Sequence, residues 1–162
     1  MQIRAASRAD AGAIVEIWNP VIRDTTVTFN SVEKSVDDVI DLINERRADG
    51  REFYVAQSGS ELLGFATYGQ FRAGVGYAFA MEHTIILGPN ARGKGIGRAL
   101  LTAIESHARE AGAHSMIGGI SGENLDAQAF HAQMGYPEVG RVPEAGRKFG
   151  RWIDIVFMQK IL

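Results

Sequence analysis

Apolar residues recur at helical spacing through the first fifty residues of the chain. A short strand candidate at residues 3–6 precedes Ser7 and Asp10, which can both accept hydrogen bonds from the first free amides of a helix. The apolar face of this helix runs up to Asn19-Pro20, where we expect it to end. A second helix, which stops near Gly50, has an apolar face made of Val36, Val39, Ile40 and Ile43.

The pattern changes to that of strands after this point. Apolar runs at 53–56 and 62–68 flank Ser58-Gly59-Ser60 and predict a hairpin. Another strand over 81–87 ends at a Gly-Pro-Asn break. The remaining predicted elements are a helix with Leu100, Leu101, Ile104 and Ala108 on one face that ends at Gly112, a strand over 116–120, a helix from Glu123 or Asn124 to about Met134, and a strand over 152–158.

These elements follow the order β-α-α-β-β-β-α-β-α-β, in which hairpins join the early strands and crossover helices join the later ones. The predicted fold class is therefore α/β, with a mixed, mostly antiparallel central sheet and helices on both faces. A length of 162 residues and a hydrophobic content of 46% suit one domain over residues 1–162.

Charge and cysteine content exclude several classes of protein. The net charge of -2 and pI near 6.1 give no general attraction to nucleic acid or membranes, so an anionic ligand needs a local site. Without any cysteine, the chain has no disulfide, thiolate nucleophile or Cys metal site. No apolar run has the length of a signal peptide or membrane span. We therefore expect a cytoplasmic protein.

A basic, glycine-rich segment, Arg92-Gly93-Lys94-Gly95-Ile96-Gly97-Arg98, follows an apolar strand and opens an amphipathic helix. Glycines permit a tight turn with several amides close to a ligand, and a helix N-terminus adds partial positive charge. Together these features predict an anion site suited to a pyrophosphate. The alternative interpretation is that this segment is a flexible helix start whose basic residues are solvated and bind no ligand.

Two nucleotide-binding motifs fit this segment less well. Gly88-x-x-x-x-Gly93-Lys94 matches the beginning of a P-loop, which would make the protein a nucleotide hydrolase. However, Gly95 stands where a Ser or Thr is needed to hold magnesium, and no second apolar strand ends in a suitable Asp. A dinucleotide fingerprint fails because the glycine spacing is Gly-x-Gly-x-Gly and the segment lies far from the first β-α unit.

The pattern Arg92-x-x-Gly95-x-Gly97 resembles the acetyl-CoA loop of the GNAT superfamily. Further motifs are similar to the phosphinothricin and methionine sulfoximine N-acetyltransferase family, and they span nearly the whole chain. These motifs are Thr26-Val27-Thr28-Phe29-Asn30, Tyr68-Gly69-Gln70-Phe71-Arg72, Glu82-His83-Thr84, Phe130-His131-x-x-Met134-Gly135-Tyr136 and Gly146-x-Lys148-Phe149-Gly150-Arg151-Trp152-x-Asp154. The chain departs from the family at Ile85-Ile86-Leu87, where an apolar-Tyr-Val strand is common, and residues 73–80 match less well.

The resemblance implies a GNAT fold, in which the fourth and fifth strands are parallel and splay apart around the pantetheine arm of acetyl-CoA. It implies that the backbone of Ile85, Ile86 and Leu87 bonds the pantetheine. The amides from Gly93 to Arg98 would hold the pyrophosphate with charge from Arg92, Lys94 and Arg98, while Asn124 would reach the cofactor from the start of the next helix. The cofactor-binding set is thus Ile85, Ile86, Leu87, Arg92, Gly93, Lys94, Gly95, Ile96, Gly97, Arg98 and Asn124.

The resemblance also points to catalytic residues for acetylation of an amine, which requires deprotonation of the ammonium group and protonation of the leaving thiolate. Glu82 is the candidate base, with His83 as second choice, although a solvated glutamate at a strand end is the competing interpretation. His131 is the candidate acid near the CoA sulfur, or else a histidine that packs on the cofactor. His107 and His114 have no partners at ligand spacing, so we expect no metal.

An amino-acid-like acceptor would carry a carboxylate, and the matched motifs place Arg72, Lys148 and Arg151 as candidate cations with Phe29 as an apolar wall. The family also implies a homodimer, and Trp152 and Phe157 fit a strand core or a dimer surface equally well. The predicted function is acetyl-CoA-dependent N-acetylation of a small amino-acid-like amine, by direct attack in a ternary complex. The alternatives on this fold are a peptide or protein N-acetyltransferase and a non-catalytic acyl-CoA-binding sensor.

Overall fold

The computed structural model describes all 162 residues, which form a seven-stranded sheet and four α-helices. The strands are β1 (Gln2–Ala5), β2 (Phe53–Ser58), β3 (Glu61–Gln70), β4 (Ala80–Leu87), β5 (Ser115–Ser121), β6 (Glu138–Lys148) and β7 (Arg151–Ile161). The helices are α1 (Ala11–Asp24), α2 (Val36–Ala48), α3 (Ile96–Glu110) and α4 (Leu125–Gln133). The strand order is β1-β2-β3-β4-β5-β7-β6, and no helix is both long and apolar enough to cross a membrane.

Alternation of side chains along the strands gives the sheet two apolar faces. One face packs against α1 and α2, where Phe53, Phe65 and Ile86 join a buried cluster. The opposite face packs against α3, with Leu100 and Ile104 in a second cluster that also takes in strands β5 and β7. The predicted α/β class, with a mostly antiparallel sheet and helices on both faces, is confirmed.

The parallel pair β4 and β5 is joined over only a short distance. Ala80, Met81 and Glu82 pair with Ser115, Met116 and Ile117, and the two strands have no further partners in this register. On its other edge β4 remains paired with β3 as far as Leu87. The half of β4 after Glu82 therefore presents an open edge toward β5, as the expected splay of these strands requires.

Two elements differ from the sequence prediction. Strand β6 was not predicted, because its residues are almost all exposed and its pairing with β7 is irregular in two places, so no regular alternation marks it. Helix α1 does not end at Asn19-Pro20 but continues through Pro20 to Asp24. Proline removes one helical hydrogen bond, and the fully buried Ile22 beyond it offsets this loss by packing in the core.

The segment after α1 is held on strand β6 by Lys148. Its ammonium group donates hydrogen bonds to the carbonyl oxygens of Ile22 (2.6 Å), Thr28 (2.8 Å) and Asn30 (3.0 Å). Next to this anchor, the ring of Phe29 lies directly on Gly146, where a Cβ atom would stand 2.3 Å from the ring. The segment therefore has a fixed position above the sheet, although it contains no helix or strand of its own.

We expect Lys148→Met to lower the free energy of unfolding by about 2–3 kcal/mol, because it removes hydrogen bonds from a charged donor to three carbonyl groups. Urea denaturation measures this change. Lys94→Met, at an exposed lysine, is the matched control and should stay within about 0.5 kcal/mol of the wild type. Equal midpoints for the two variants would show that the anchor contributes nothing.

Candidate active site

The open edge of β4 borders a groove of about 1310 Å³ between α1, α3 and α4. Ten of the eleven residues predicted to bind the cofactor line this groove, and only the exposed Lys94 does not. The lining ones are Ile85, Ile86, Leu87, Arg92, Gly93, Gly95, Ile96, Gly97, Arg98 and Asn124. The fold thus brings the predicted residues together on one continuous surface, which runs from the backbone of β4 to the start of α3.

The turn into α3 leaves several backbone amides free. Gly93 and Gly95 both have a φ near 70°, a conformation that other residues rarely adopt. The first amide bonded within the helix is that of Ala99, which donates to Gly95, so the preceding amides have no acceptor in the chain. Gly97 lets Phe130 approach, since a Cβ there would lie 3.3 Å from its ring. Free amides at a helix N-terminus, beside arginine side chains, form a site for an anion.

A second cavity of about 360 Å³ lies where β4 and β5 have separated. The predicted residues that line it are Phe29, His83, Ile85, Ile86, Asn124 and His131. Asn124 also caps α4, as its side-chain oxygen accepts a hydrogen bond from the amide of Ala127 at 3.1 Å. Because Asn124, Ile85, Ile86 and His131 border both cavities, the two spaces are adjacent, and a long ligand in the groove reaches the gap between the strands.

Glu82 lies at the closed end of this gap, in the last residue pair before the strands separate. It lines neither cavity, but Thr84, the next residue of β4 on the same face, lines the smaller one. Burial raises the pKa of the Glu82 carboxyl. Its carboxylate leans over Gly119 of β5, where a Cβ atom would be only 2.8 Å from Oε2. Gly119 therefore creates the space that Glu82 occupies.

His83 and His131 form a buried pair on the opposite face of β4. Their rings stack at 5.0 Å, and their Nε2 atoms are 3.1 Å apart. Nδ1 of His131 lies 2.7 Å from the carbonyl oxygen of Ala127 and must donate its proton there, because a carbonyl only accepts. Burial lowers the pKa of both imidazoles, that of His83 to about 3, so the pair is neutral at physiological pH.

These bonds define the tautomer of His131, which was predicted either to donate a proton to a leaving thiolate or to pack on the cofactor. In a neutral ring with a proton on Nδ1, Nε2 carries a lone pair, which accepts the Nε2 proton of His83. His131 therefore has no proton free to give into the groove. Gly118 of β5 makes room for the pair, since a Cβ there would be 3.1 Å from Nε2 of His83. The pair shapes the wall of the cavity.

The three cations that were predicted near a substrate carboxylate do not lie together. Lys148 was predicted near the substrate carboxylate, but its ammonium protons are used by carbonyl groups, so it is a structural anchor. Arg151 forms a two-pronged ion pair with Glu123 at 2.9 and 3.0 Å. Arg72 is exposed at the end of β3, with its guanidinium 5.5 Å from the centre of the Tyr77 ring. Of the three, only Arg72 is free to bind a carboxylate.

Several residues of the site were not predicted from the sequence. The smaller cavity is also lined by Trp18, Val27, Thr28, Thr84, Gly119, Ile120, Ser121, Ala127 and Ile155. The adjacent glycines Gly118 and Gly119 within a predicted strand were a usable signal, because glycine inside a strand marks close approach by other groups. No cluster of three or more His, Asp or Glu side chains is arranged to hold a metal ion.

Comparison with known proteins identifies a family to which this chain is similar. The model of the acetyltransferase (GNAT) family matches residues 18–136. The L-amino acid N-acyltransferase MnaT of Escherichia coli (strain K12) is 34% identical, over 98% of this chain and 92% of that protein. The L-methionine sulfoximine/L-methionine sulfone acetyltransferase of Salmonella typhimurium (strain LT2) is 33% identical, over 98% of this chain and 93% of that protein.

Two solved structures share the whole fold. The crystal structure of ribosomal-protein-alanine N-acetyltransferase from Brucella melitensis covers 100% of both chains, with a TM-score of 0.96 and 36% identity. The acetyltransferase yncA from Salmonella typhimurium, solved with its cofactor acetyl-CoA, covers 100% of this chain and 94% of its own, with a TM-score of 0.96 and 33% identity.

The neutral histidine pair predicts that acid destabilises the fold. Because the pKa of His83 is lowered in the folded chain, the unfolded chain takes up the proton first as the pH falls below 6.5. We expect the free energy of unfolding to decrease by about 1 kcal/mol per pH unit between pH 6.5 and about pH 5 on account of this residue. Its contribution is fully present above pH 6.5.

Urea denaturation across this pH range tests the assignment. His83→Gln should flatten the dependence, whatever its effect on absolute stability, because glutamine does not titrate. His114→Gln removes an exposed histidine and should keep the wild-type slope. A slope in His83→Gln equal to that of the wild type would mean that the buried pair is not the source of the acid sensitivity.

Proposed function

The chain belongs to the acetyltransferase (GNAT) family, and we propose that it transfers the acetyl group of acetyl-CoA to the primary amine of a small amino-acid-like molecule. The observation that carries this proposal is the open edge of β4, which leads from the free amides before α3 to the half-buried carboxylate of Glu82. Acceptors of the methionine sulfoximine, methionine sulfone and phosphinothricin type are the first to consider, because similar proteins carry these names.

The groove suits acetyl-CoA in its dimensions and in its polar groups. The anion site before α3 supports binding of the pyrophosphate, and Arg92 and Arg98 add positive charge at the rim. The unpaired backbone of β4 supports strand-like hydrogen bonds to the amides of the pantetheine arm. A ligand bound this way would place its thioester in the gap near Thr84 and Asn124, on the route to Glu82.

Glu82 is proposed as the base for direct attack in a ternary complex. Its carboxylate takes a proton from the acceptor ammonium group, and the freed nitrogen lone pair forms the bond to the thioester carbon. The carbon–sulfur bond then breaks, and the thiolate leaves with its electron pair and takes up the second proton, which the nitrogen loses as it becomes an amide. Burial raises the pKa of Glu82, which makes its carboxylate a stronger base than that of a solvated glutamate. The proton that the thiolate takes up does not come from His131, whose single ring proton, on Nδ1, is bonded to the carbonyl oxygen of Ala127.

A second candidate is acetylation of a protein or peptide N-terminus. The resemblance to the Brucella melitensis structure named ribosomal-protein-alanine N-acetyltransferase favours it. Against it, Phe29 closes over the smaller cavity and is fixed by the contact with Gly146, which leaves less room for a chain of several residues. An acyl-CoA sensor would use the same groove without any need for Glu82. The compartment we propose is the cytoplasm, in line with the absence of cysteine.

We also propose a homodimer formed through the β6–β7 hairpin. Strand β6 is an unpaired edge of the sheet, and the hairpin exposes four large apolar side chains, Val139, Val142, Phe149 and Trp152, each by 47–58%. Exposed apolar groups along a sheet edge commonly mark an association surface.

The first experiment is release of free CoA thiol from acetyl-CoA with a panel of amines. The panel holds phosphinothricin, methionine sulfoximine, methionine sulfone, the common amino acids, a polyamine and a short peptide. We expect turnover with at least one amino-acid analogue. Turnover with the peptide alone would favour the second candidate, and absence of acetyl-CoA binding would refute the proposal.

In the same assay Glu82→Gln should lower kcat by about 10²–10³-fold, because it removes the general base. Its Kd for acetyl-CoA should stay unchanged, since Glu82 lies outside the groove. Glu110→Gln, at an exposed glutamate of α3, is the control with wild-type activity. An unchanged kcat in Glu82→Gln would remove Glu82 from the mechanism, and acetyl-CoA binding without turnover by the wild type would indicate a sensor.

For the dimer, light scattering after size-exclusion chromatography should give twice the chain mass of 17.6 kDa. Trp152→Asp should shift the distribution to the monomer, because it introduces a charge into the proposed apolar contact. Leu125→Asp, which alters an equally exposed apolar residue on α4, should leave the dimer intact. A monomeric wild type, or dissociation by both variants, would contradict the proposed interface.

A further inference from the structure

Arg46 in the last turn of α2 is a largely buried cation without a proper partner. Its side chain is 21% exposed, and its Nε is buried with no hydrogen-bond acceptor. Its one ion pair is a loose contact of 3.9 Å with Glu45, whose own side chain is 65% exposed. Asp49 and Arg51 lie farther off and bond to each other at 3.1 Å. A guanidinium group loses hydration on burial and normally regains it through a carboxylate or carbonyl.

The guanidinium group of Arg46 lies on Gly69 of strand β3. A Cβ atom at Gly69 would be 2.9 Å from Nη1 and 3.0 Å from Cζ, so only glycine leaves room for it. Gly69 is paired with Glu82 in the antiparallel register of β3 and β4. Residues paired in this way point to the same face, with Cβ positions about 4.5–5.5 Å apart. Arg46 and Glu82 therefore stand side by side on the α2 face of the sheet.

Glycines flank Glu82 on both neighbouring strands of this face. Gly119 on β5 gives space to the Glu82 carboxylate, and Gly69 on β3 gives space to the Arg46 guanidinium. The face thus carries the Glu82 carboxylate and, over the neighbouring strand β3, a guanidinium group that has no hydrogen-bond acceptor for its Nε. An α-amino acid has an ammonium group that suits the carboxylate and a carboxylate that suits the guanidinium fork in shape and charge.

On the basis of the proposed function, we infer that Arg46 binds the α-carboxylate of the acceptor while its amine faces Glu82. From the sequence, this role is expected of Arg72, Lys148 and Arg151, but the ammonium group of Lys148 is bonded to three carbonyl groups and Arg151 is paired with Glu123. Arg72, at the exposed end of the same strand as Gly69, is the competing residue for the role. The inference selects α-amino acids over polyamines and other amines without a carboxylate.

The test compares an acceptor acid with its carboxamide, for example methionine sulfone and methionine sulfone amide, in wild type, Arg46→Met and Arg72→Met. We expect Arg46→Met to lower kcat/KM for the acid by about ten- to a hundredfold, mainly through KM. For the carboxamide, it should change kcat/KM less than about threefold, and KM for acetyl-CoA should not change. Arg109→Met, at an exposed arginine of α3, serves as the control.

A second variant displaces the guanidinium group of Arg46 without changing Arg46 itself. Gly69→Ala places a methyl group where the guanidinium lies and should reproduce the loss that is specific to the acid. Equal losses for acid and amide in Arg46→Met would show a structural role, and an acid-specific loss in Arg72→Met alone would transfer the role to Arg72. Either result overturns the inference while acetylation by the wild type still stands. Failure of the wild type to acetylate any acceptor would instead refute the proposed function.

Discussion

The separation of β4 from β5 after the Glu82–Ile117 pair is the constraint on which the site depends. Backbone groups at an unpaired strand edge inside a protein need partners, and the unpaired half of β4 has none from its own sheet on that side. The groove along this edge ends at free helix amides in one direction, and in the other it adjoins the smaller cavity between the separated strands. Glycines on β5 at the point of separation admit side chains from both faces, Glu82 over Gly119 and the histidines over Gly118.

The segment that contains Thr28 and Phe29 lines the smaller cavity. It is held in place by contacts between parts of the chain that are distant in sequence. Lys148 and Thr28 are 120 residues apart, yet the ammonium group of one holds the carbonyl of the other. The neighbouring contact of Phe29 with Gly146 has the same effect. The motifs Thr26–Asn30 and Gly146–Lys148 are therefore one structural unit, which explains why residues that appear chosen for substrate chemistry instead set the position of a wall.

The local sequence pattern predicted most of the fold and the glycine-rich turn at one end of the groove, because helical periodicity and a glycine-rich turn are each visible within one segment of the sequence. Strand β6 was not predicted, because its exposed residues and irregular pairing leave no alternation of apolar and polar positions to detect. The hydrogen-bond partners of Lys148 and His131 could not be predicted either, but for a different reason. A residue type specifies which protons a side chain can donate, but only the surrounding acceptors determine whether those protons remain free. Arg46 shows the converse, because nothing in a basic helix end marks an arginine that finds no partner after folding.

Strand β4 also separates two electrostatic environments. On the α1 and α2 face, burial raises the pKa of Glu82, which favours its action as a base. On the other face, one residue further along, a protonated His83 would lower that pKa again through Coulomb attraction across the strand. The contact between the His83 and His131 rings and their burial keep both imidazoles neutral above the lowered pKa values. In this arrangement the neutral histidines place no charge behind the carboxylate, and burial alone raises the pKa of Glu82.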